Sequence, residues 1–208
     1  MAAGDASDPG WTEYYEAAGE DPRVTLLDAL RRFEGEAPRD RLAVDLGCGT
    51  GRDTFELLRR GWAVLAIDSQ AEALERLLAR DLPLAWNDRL TTIRASFQEA
   101  EWPDADLVNS SFALPFCPPA AFPGLWRRIG RSLRPGGRFC GQLFGDRDGW
   151  SDEDDLTFQT RAEVEALLSS LEVERLDEIE EDGKTATGKD KHWHLFHLLA
   201  RKPSASSP

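Results

Sequence analysis

Short apolar runs of strand length alternate along the chain with stretches whose apolar residues recur at helical spacing. Trp11 to Tyr15 begins the ordered part as a short helix. Asp21-Pro22 offers an N-cap with proline at the first helical position, ahead of an apolar stripe of Val24, Leu27, Leu30 and Phe33 that Gly35 ends. A strand over 41–46 runs into a glycine-rich turn and then a helix over 52–60, closed by Gly61. A second strand follows at 62–67, and Ser69 and Glu72 stand at capping-box spacing before a helix that runs to Arg80. Leu90 to Ala95 and Ala105 to Ser110 read as strands three and four. A proline-rich stretch leads to a helix at 125–133, and Arg134-Pro-Gly-Gly137 turns the chain into a fifth strand, Arg138 to Phe144.

The pattern then changes. Asp146 to Asp155 is a long acidic loop, and Thr160 with Glu163 forms another capping-box spacing before a helix to Ser170. Leu171 to Ile179 and His192 to Arg201 are two β-runs joined by a glycine-containing loop, Asp182 to Asp190. Strands alternating with helices predict an α/β fold built on parallel strands. With no internal repeat and no linker, the expectation is one domain over 11–201, a flexible N-terminus over 1–10 and a flexible tail over 202–208.

Length and composition suit that picture: 208 residues, 41% hydrophobic and 30% charged, enough for one well-buried α/β domain. No apolar run is long enough to cross a bilayer and no apolar core follows the first residues, so the chain reads as cytoplasmic, with no membrane partner. Three cysteines without metal-type spacing read as reduced thiols. Formal net charge is −13, and residues 151–182 hold thirteen acids and two arginines, a local net of −11. Such a surface repels a phosphate backbone and argues against a nucleic-acid partner. The segment is either a solvated face that aids solubility or a dock for a basic partner.

The candidate chemistry begins at 42–51, Leu-Ala-Val-Asp-Leu-Gly-Cys-Gly-Thr-Gly. Glycines let a backbone leaving a strand turn sharply with a ligand against it. A dinucleotide fold spaces them G-x-G-x-x-G to seat a pyrophosphate. Here the spacing is Asp45-x-Gly47-x-Gly49-x-Gly51, and an acid beside a pyrophosphate would repel it. An anion near a sulfonium ligand with a free amino group is favourable instead. Asp68, at the end of the second strand, stands where a carboxylate accepts both ribose hydroxyls.

These residues resemble class I S-adenosylmethionine-dependent methyltransferases, over nearly the whole chain. Asp45 to Gly51 matches the family's first motif and Ala66-Ile-Asp68 its second. Ala95-Ser96-Phe97 resembles the third, Asp106-Leu-Val-Asn109 the fourth, and Leu133 to Arg138 the turn into the fifth strand. The resemblance implies a Rossmann-like seven-stranded, mostly parallel sheet with an antiparallel last strand and helices on both faces. It also implies S-adenosyl-L-methionine as cofactor, S-adenosyl-L-homocysteine as product, and a small-molecule substrate, in a monomer or weak homodimer. The implied cofactor residues are Asp45, Gly47, Cys48, Gly49, Gly51, Asp68, Ser69, Ser96, Phe97, Asn109 and Ser110, with Trp11 and Tyr15 as an aromatic lid. A protein-modifying methyltransferase and a non-catalytic cofactor-binding protein are the alternatives. Gly51-Arg52 and the ending Thr157-Phe, Glu178, Gly183, Ala200-Arg-Lys are similar to tellurite-resistance-type methyltransferases. Asp53 departs from that type, which often carries an amide there, and Lys191-His-Trp-His194 has no counterpart in it.

In an open α/β sheet the ligand crevice lies outside the carboxyl ends of the parallel strands. The loop 182–190 and residues 191–194 are expected to border it. Alternation puts His192 and His194 on one face and Trp193 on the other. That pair either supplies a general base near neutral pH or orients an acidic substrate, or else is two histidines satisfied on a sheet surface. A third metal ligand is not identifiable, so no metal is expected. Arg147 either fixes a substrate anion or pairs with its acidic neighbours.

Overall fold

The structure, a computed structural model, describes residues 10–36 and 40–204. The flexible stretches expected at the two ends fall mostly on residues outside these. Of the expected tail, Lys202 is firmly held: its Nζ donates to the carbonyls of Gly130, Arg131 and Leu133, and its backbone pairs with Gly136 and Gly137.

Six helices are described: α1 (Gly10–Ala17), α2 (Val24–Phe33), α3 (Arg52–Arg59), α4 (Ala71–Leu78), α5 (Phe122–Ser132) and α6 (Arg161–Leu168). The strands are β1 (Leu42–Leu46), β2 (Ala63–Asp68), β3 (Leu90–Arg94), β4 (Ala105–Ser110), β5 (Leu133–Gly145), β6 (Phe158–Gln159), β7 (Glu172–Lys184) and β8 (Asp190–Arg201). The sheet runs β3-β2-β1-β4-β5-β8-β7, parallel from β3 to β5, with β8 antiparallel to both its neighbours. This is the expected seven-stranded Rossmann-like path. The two-residue β6, which pairs with β5, was not foreseen. No helix among the described residues is long and apolar enough to cross a membrane.

Helices cover both faces because each central strand is apolar on both sides. Val44, Leu46, Val108 and Phe139 pack with Trp126 and Ile129 of α5 and Val164 of α6. Ala43, Leu107, Cys140 and Leu199 pack on the opposite face with Leu30 of α2, Leu57 of α3 and Leu77 of α4.

Two caps differ from expectation. The N-cap of α2 is Arg23, without a side-chain cap, and the helix turns Leu26, Ala29, Leu30 and Phe33 inward while Val24 is exposed. The backbone N–H of Arg23 donates instead to Asp53, 2.9 Å away, so a tertiary acceptor replaces the local one. At α4 the N-cap is Gln70, and Glu72 reaches Thr12 and Arg76 rather than closing a box. The box at Thr160 and Glu163 is formed as expected, with both reciprocal bonds. The strands β7 and β8 extend beyond their apolar cores to 184 and from 190, leaving a five-residue connection. Exposed ladder positions there carry charge, so hydropathy alone ended the strands early.

Close approach of β4 and β5 depends on Gly141, where a Cβ would stand 2.3 Å from the Ser110 carbonyl oxygen. Gly141→Ala is expected to destabilise the domain by about 3 kcal/mol, read as a lowered urea midpoint at unchanged slope.

Candidate functional site

The glycine turn leaves the central strand β1 and is sewn to β2. The N–H groups of Gly47 and Cys48 both donate to the Ile67 carbonyl, and that of Gly49 donates to Asp68 Oδ2 at 2.9 Å. Gly47 and Gly49 both adopt positive φ, 68° and 53°. A Cβ on Gly47 would stand 2.2 Å from Ala113 Cβ, so the segment after β4 demands glycine there. A Cβ on Gly49 would meet only Tyr15, at 3.8 Å. Gly49 therefore borders open space, as a backbone against which a ligand lies must.

Asp68 caps the far side of that space. Its Oδ1 accepts the Gln70 N–H and its Oδ2 the Gly49 N–H, with the Ser69 backbone also acting on the carboxylate, which leaves lone-pair capacity for a hydroxyl donor. Burial raises its pKa. The Ser69 hydroxyl accepts from Gln70 and its carbonyl from Arg94, and Ser96 bonds Glu99. Phe97 lies against the turn, 3.6 Å from where a Gly47 Cβ would stand.

Beneath the turn is a buried polar seam. Asp45 pairs in register with Asn109, which pairs with Cys140, across β1, β4 and β5. Asn109 Nδ2 donates to Asp45 Oδ1 (2.8 Å) and Asp53 Oδ2 (3.0 Å). Thr54 Oγ1 donates to Asp45 Oδ2 and Ser111 Oγ to Asp53 Oδ2. Burial first, then the charge of Asp53, pushes Asp45 up to about 7. Asp45 is only 2% exposed and both its oxygens are engaged, so of the two routes by which it could attract a ligand ammonium, directly or through water and neighbouring amides, this arrangement leaves the second. The Asn109 and Ser110 side chains are likewise spent in the core, Ser110 on the Leu46 carbonyl. Sequence reasoning missed Asp53 and Ser111 as parts of this seam. Neither residue lies in a spacing pattern that marks it.

Helix α1 covers the turn. Tyr15 is buried beside Asp68 and Cys48, and burial followed by the Asp68 charge raises its phenol pKa. Trp11 stacks on Tyr15, with centroids 6.1 Å apart, and meets Phe116 edge-on at 5.0 Å. Three contacts at four-residue intervals tie this segment to α4: Thr12–Glu72, Glu16–Arg76 and Glu20–Arg80. The matched periods mean that the first two rungs join one turn of α1 to one turn of α4.

A family model described as a methyltransferase domain matches residues 43–137. The chain is 36% identical over 107 residues to trans-aconitate 2-methyltransferase of Deinococcus radiodurans, across 50% of this chain and 38% of that one. The chain is thus similar to methyltransferases over the part that carries the glycine turn. It spans 38% to 40% of the length of the first curated relatives it matches. Its fold is shared with TehB of Haemophilus influenzae (TM-score 0.68, 17% identity, 84% of this chain and 61% of that one). It is shared also with magnesium protoporphyrin IX methyltransferase of Synechocystis with bound S-adenosylhomocysteine (TM-score 0.67, 15% identity, 94% and 95%).

The remaining expected residues lie on β8 and on the loop after β5. His192 and His194 do share a face of β8, but it is the face of Phe196 and Leu198, which pack on the α5–α6 side. His194 is fully buried, its Nδ1 accepting from the Arg147 N–H and its Nε2 against Glu178. His192 is held by Asp182 and Glu180, which raise its pKa. Each member of the expected pair is thus bonded to acids of β7. Arg147 is consumed as well, by Glu178, Glu180 and Asp146.

Lys191 is the buried member of that stretch. Its ammonium bonds Asp148 and lies 4.0 Å from the Trp150 ring, 4.1 Å from Trp193 and 4.9 Å from Phe144. Asp148 also accepts the N–H groups of Trp150 and His194, so the cluster rivets the loop after β5 to β8.

Two outcomes follow from these buried charges. Asp148→Ala, which strands the Lys191 ammonium, is expected to cost about 3–5 kcal/mol by urea unfolding, with partial recovery in the Asp148→Leu/Lys191→Met double variant. Unfolded Asp45 ionises near 3.8 but the folded group near 7, so the native state holds an extra proton between those values. Its contribution to stability thus falls as pH rises from 3.8 to about 7 and is flat above. The destabilisation caused by Asp45→Asn should accordingly shrink over that window, in unfolding midpoints measured pH by pH.

Proposed function

We propose that this domain binds S-adenosyl-L-methionine at the glycine turn and transfers its methyl group to a small-molecule nucleophile, leaving S-adenosyl-L-homocysteine. The observation that carries the reading is the open side of Gly49, bounded by the spare lone pairs of Asp68 and roofed by Tyr15. Asp68 would accept the ribose hydroxyls, and the Gly47–Gly49 backbone would lie against the ligand. Phe97 would pack beside it, with Trp11 and Tyr15 excluding water. The names of the trans-aconitate and magnesium protoporphyrin IX methyltransferases support a small acceptor.

The bound cofactor supplies an electrophilic methyl on sulfur, displaced in line by the acceptor. What the protein adds is position: holding the two reactants in line supplies much of the rate. No histidine is assigned a proton-transfer step. Asp45 and Asn109 act by positioning, since together they fix the strand before the turn and the helix after it.

Incubation with methyl-labelled cofactor and fractionated metabolites should give a labelled small product. Label only in protein would favour a protein-modifying enzyme, and cofactor binding without any label transfer a non-catalytic binder. Calorimetry should show S-adenosylhomocysteine bound and NAD not, with Asp68→Ala weakening the former about tenfold or more. Binding of NAD alone would sink the reading.

A further inference from the structure

Most arginines that line the sides of this fold hold a carboxylate, as Arg76, Arg80, Arg134 and Arg138 do. Arg23 and Arg52 are exceptions. Both are half-buried, and among the described residues neither side chain makes an ion pair or hydrogen bond. Each also acts on the other: burial and then the Arg23 charge push the Arg52 guanidinium below its usual range. Asp21 and Asp53 act on Arg52 in the opposite direction without pairing with it. Two like charges half-withdrawn from water are unfavourable unless an anion joins them.

Their place in the fold is informative. Arg52 follows Gly51 directly, at the end of the cofactor turn. Arg23 precedes α2, anchored by its own N–H to Asp53, and its guanidinium stacks 4.6 Å over the Phe112 ring. Phe112 follows β4 and takes φ 55°, a left-handed conformation that costs a bulky residue free energy. The Gln142 side chain holds it there by accepting its N–H at 3.0 Å. The imidazole of His197 also meets Phe112, at 6.3 Å and nearly perpendicular. Both ring nitrogens of His197 are buried without a partner. The nearby Asp177 is itself bonded to Arg175. An unpartnered imidazole, two guanidiniums without a carboxylate and a strained aromatic thus belong to the segments that leave or flank β1, β4 and β5.

We propose that Arg23, Arg52 and His197 form a recognition site for a carboxylate group of the methyl acceptor. The proposal rests on the methyl-transfer reading above and narrows its substrate class to carboxylic acids. A guanidinium presents paired N–H donors that match a carboxylate, and His197 supplies a further N–H across Phe112. The same chemistry exists on the amino-acid end of the cofactor, so the test separates the two sources.

The test is calorimetric, on the full chain. Citrate, succinate and neutral succinamide are titrated into protein saturated with S-adenosylhomocysteine. Citrate or succinate is expected to bind and succinamide not to. Arg23→Gln and His197→Phe should each weaken that binding about tenfold, and Arg23→Lys, which keeps the charge but not the fork, by less. Affinity for S-adenosylhomocysteine should change less than about threefold in these variants, which also serves as the folding control. The proposal is overturned if neither acid binds, or if both bind wild type and Arg23→Gln alike. It is also overturned if Arg23→Gln removes the preference for S-adenosylhomocysteine over 5′-methylthioadenosine, which lacks the carboxylate, since the guanidinium then serves the cofactor. Failure of the wild type to bind S-adenosylhomocysteine overturns instead the methyl-transfer reading, and this proposal with it.

Discussion

Asn109 stands between two buried carboxylates, and its amide allows both to remain in a site that excludes water. Without that donor and the hydroxyls of Thr54 and Ser111, Asp45 and Asp53 would confront each other in a low dielectric. Asp45 resolves the remaining repulsion by keeping its proton to about 7. The geometric consequence matters more than the charge. Asp45 lies two residues before Gly47 and Asp53 two residues after Gly51, so one side chain on β4 fixes both ends of the glycine turn. The turn can then afford positive φ at consecutive glycines without wandering, because its termini are not free.

The same hub reaches outward. Asp53 Oδ1 takes the N–H of Arg23 and thereby sets where α2 starts, while Oδ2 takes Ser111 and sets the path of the chain leaving β4. Gln142 continues the network by bonding Thr25 of α2 and the backbone of Phe112. Helix α2 and the segment after β4 are thus two walls positioned by one set of buried polar atoms. The cover formed by α1 is of another kind. It hangs on two contacts with α4, Thr12–Glu72 and Glu16–Arg76, each worth little on its own in water, and on aromatic contacts of Trp11 and Tyr15. A rigid floor under a weakly held roof suits a site that must admit a ligand and then exclude water.

The parallel strands, the glycine turn and Asp68 were legible because each is written locally: an apolar run, a glycine spacing, an acid at a strand end. The Thr160–Glu163 cap was legible for the same reason. The misread caps share one cause, since Arg23 and Glu72 satisfy partners thirty and sixty residues away that no local pattern displays. The histidines show a subtler limit. Alternation correctly placed His192 and His194 together, but a period of two says nothing about which face is which. That is decided by Phe196, Leu198 and Ala200 filling the α5–α6 core, a fact about packing across the sheet. Asp53 and Ser111 could not be found at all, because a buried polar residue is recognisable only once its acceptor or donor is in view.

Charge illustrates the same point with consequences for recognition. By count, residues 151–182 form an acidic block. In the fold, Glu174 of β7 is held by Arg138 of β5, Asp177 by Arg175, Glu178 and Glu180 by Arg147, and Glu172 by Arg201. Part of that negative charge is therefore cancelled within a few ångströms, and its field beyond the sheet edge is screened further by salt. A ligand entering beside β4 and β5 feels the charges that have no partner, and there these are the guanidiniums of Arg23 and Arg52. A strongly acidic chain can thus carry a locally cationic mouth, because the potential at a site is set by nearby uncompensated charge and its desolvation rather than by the sum over the sequence.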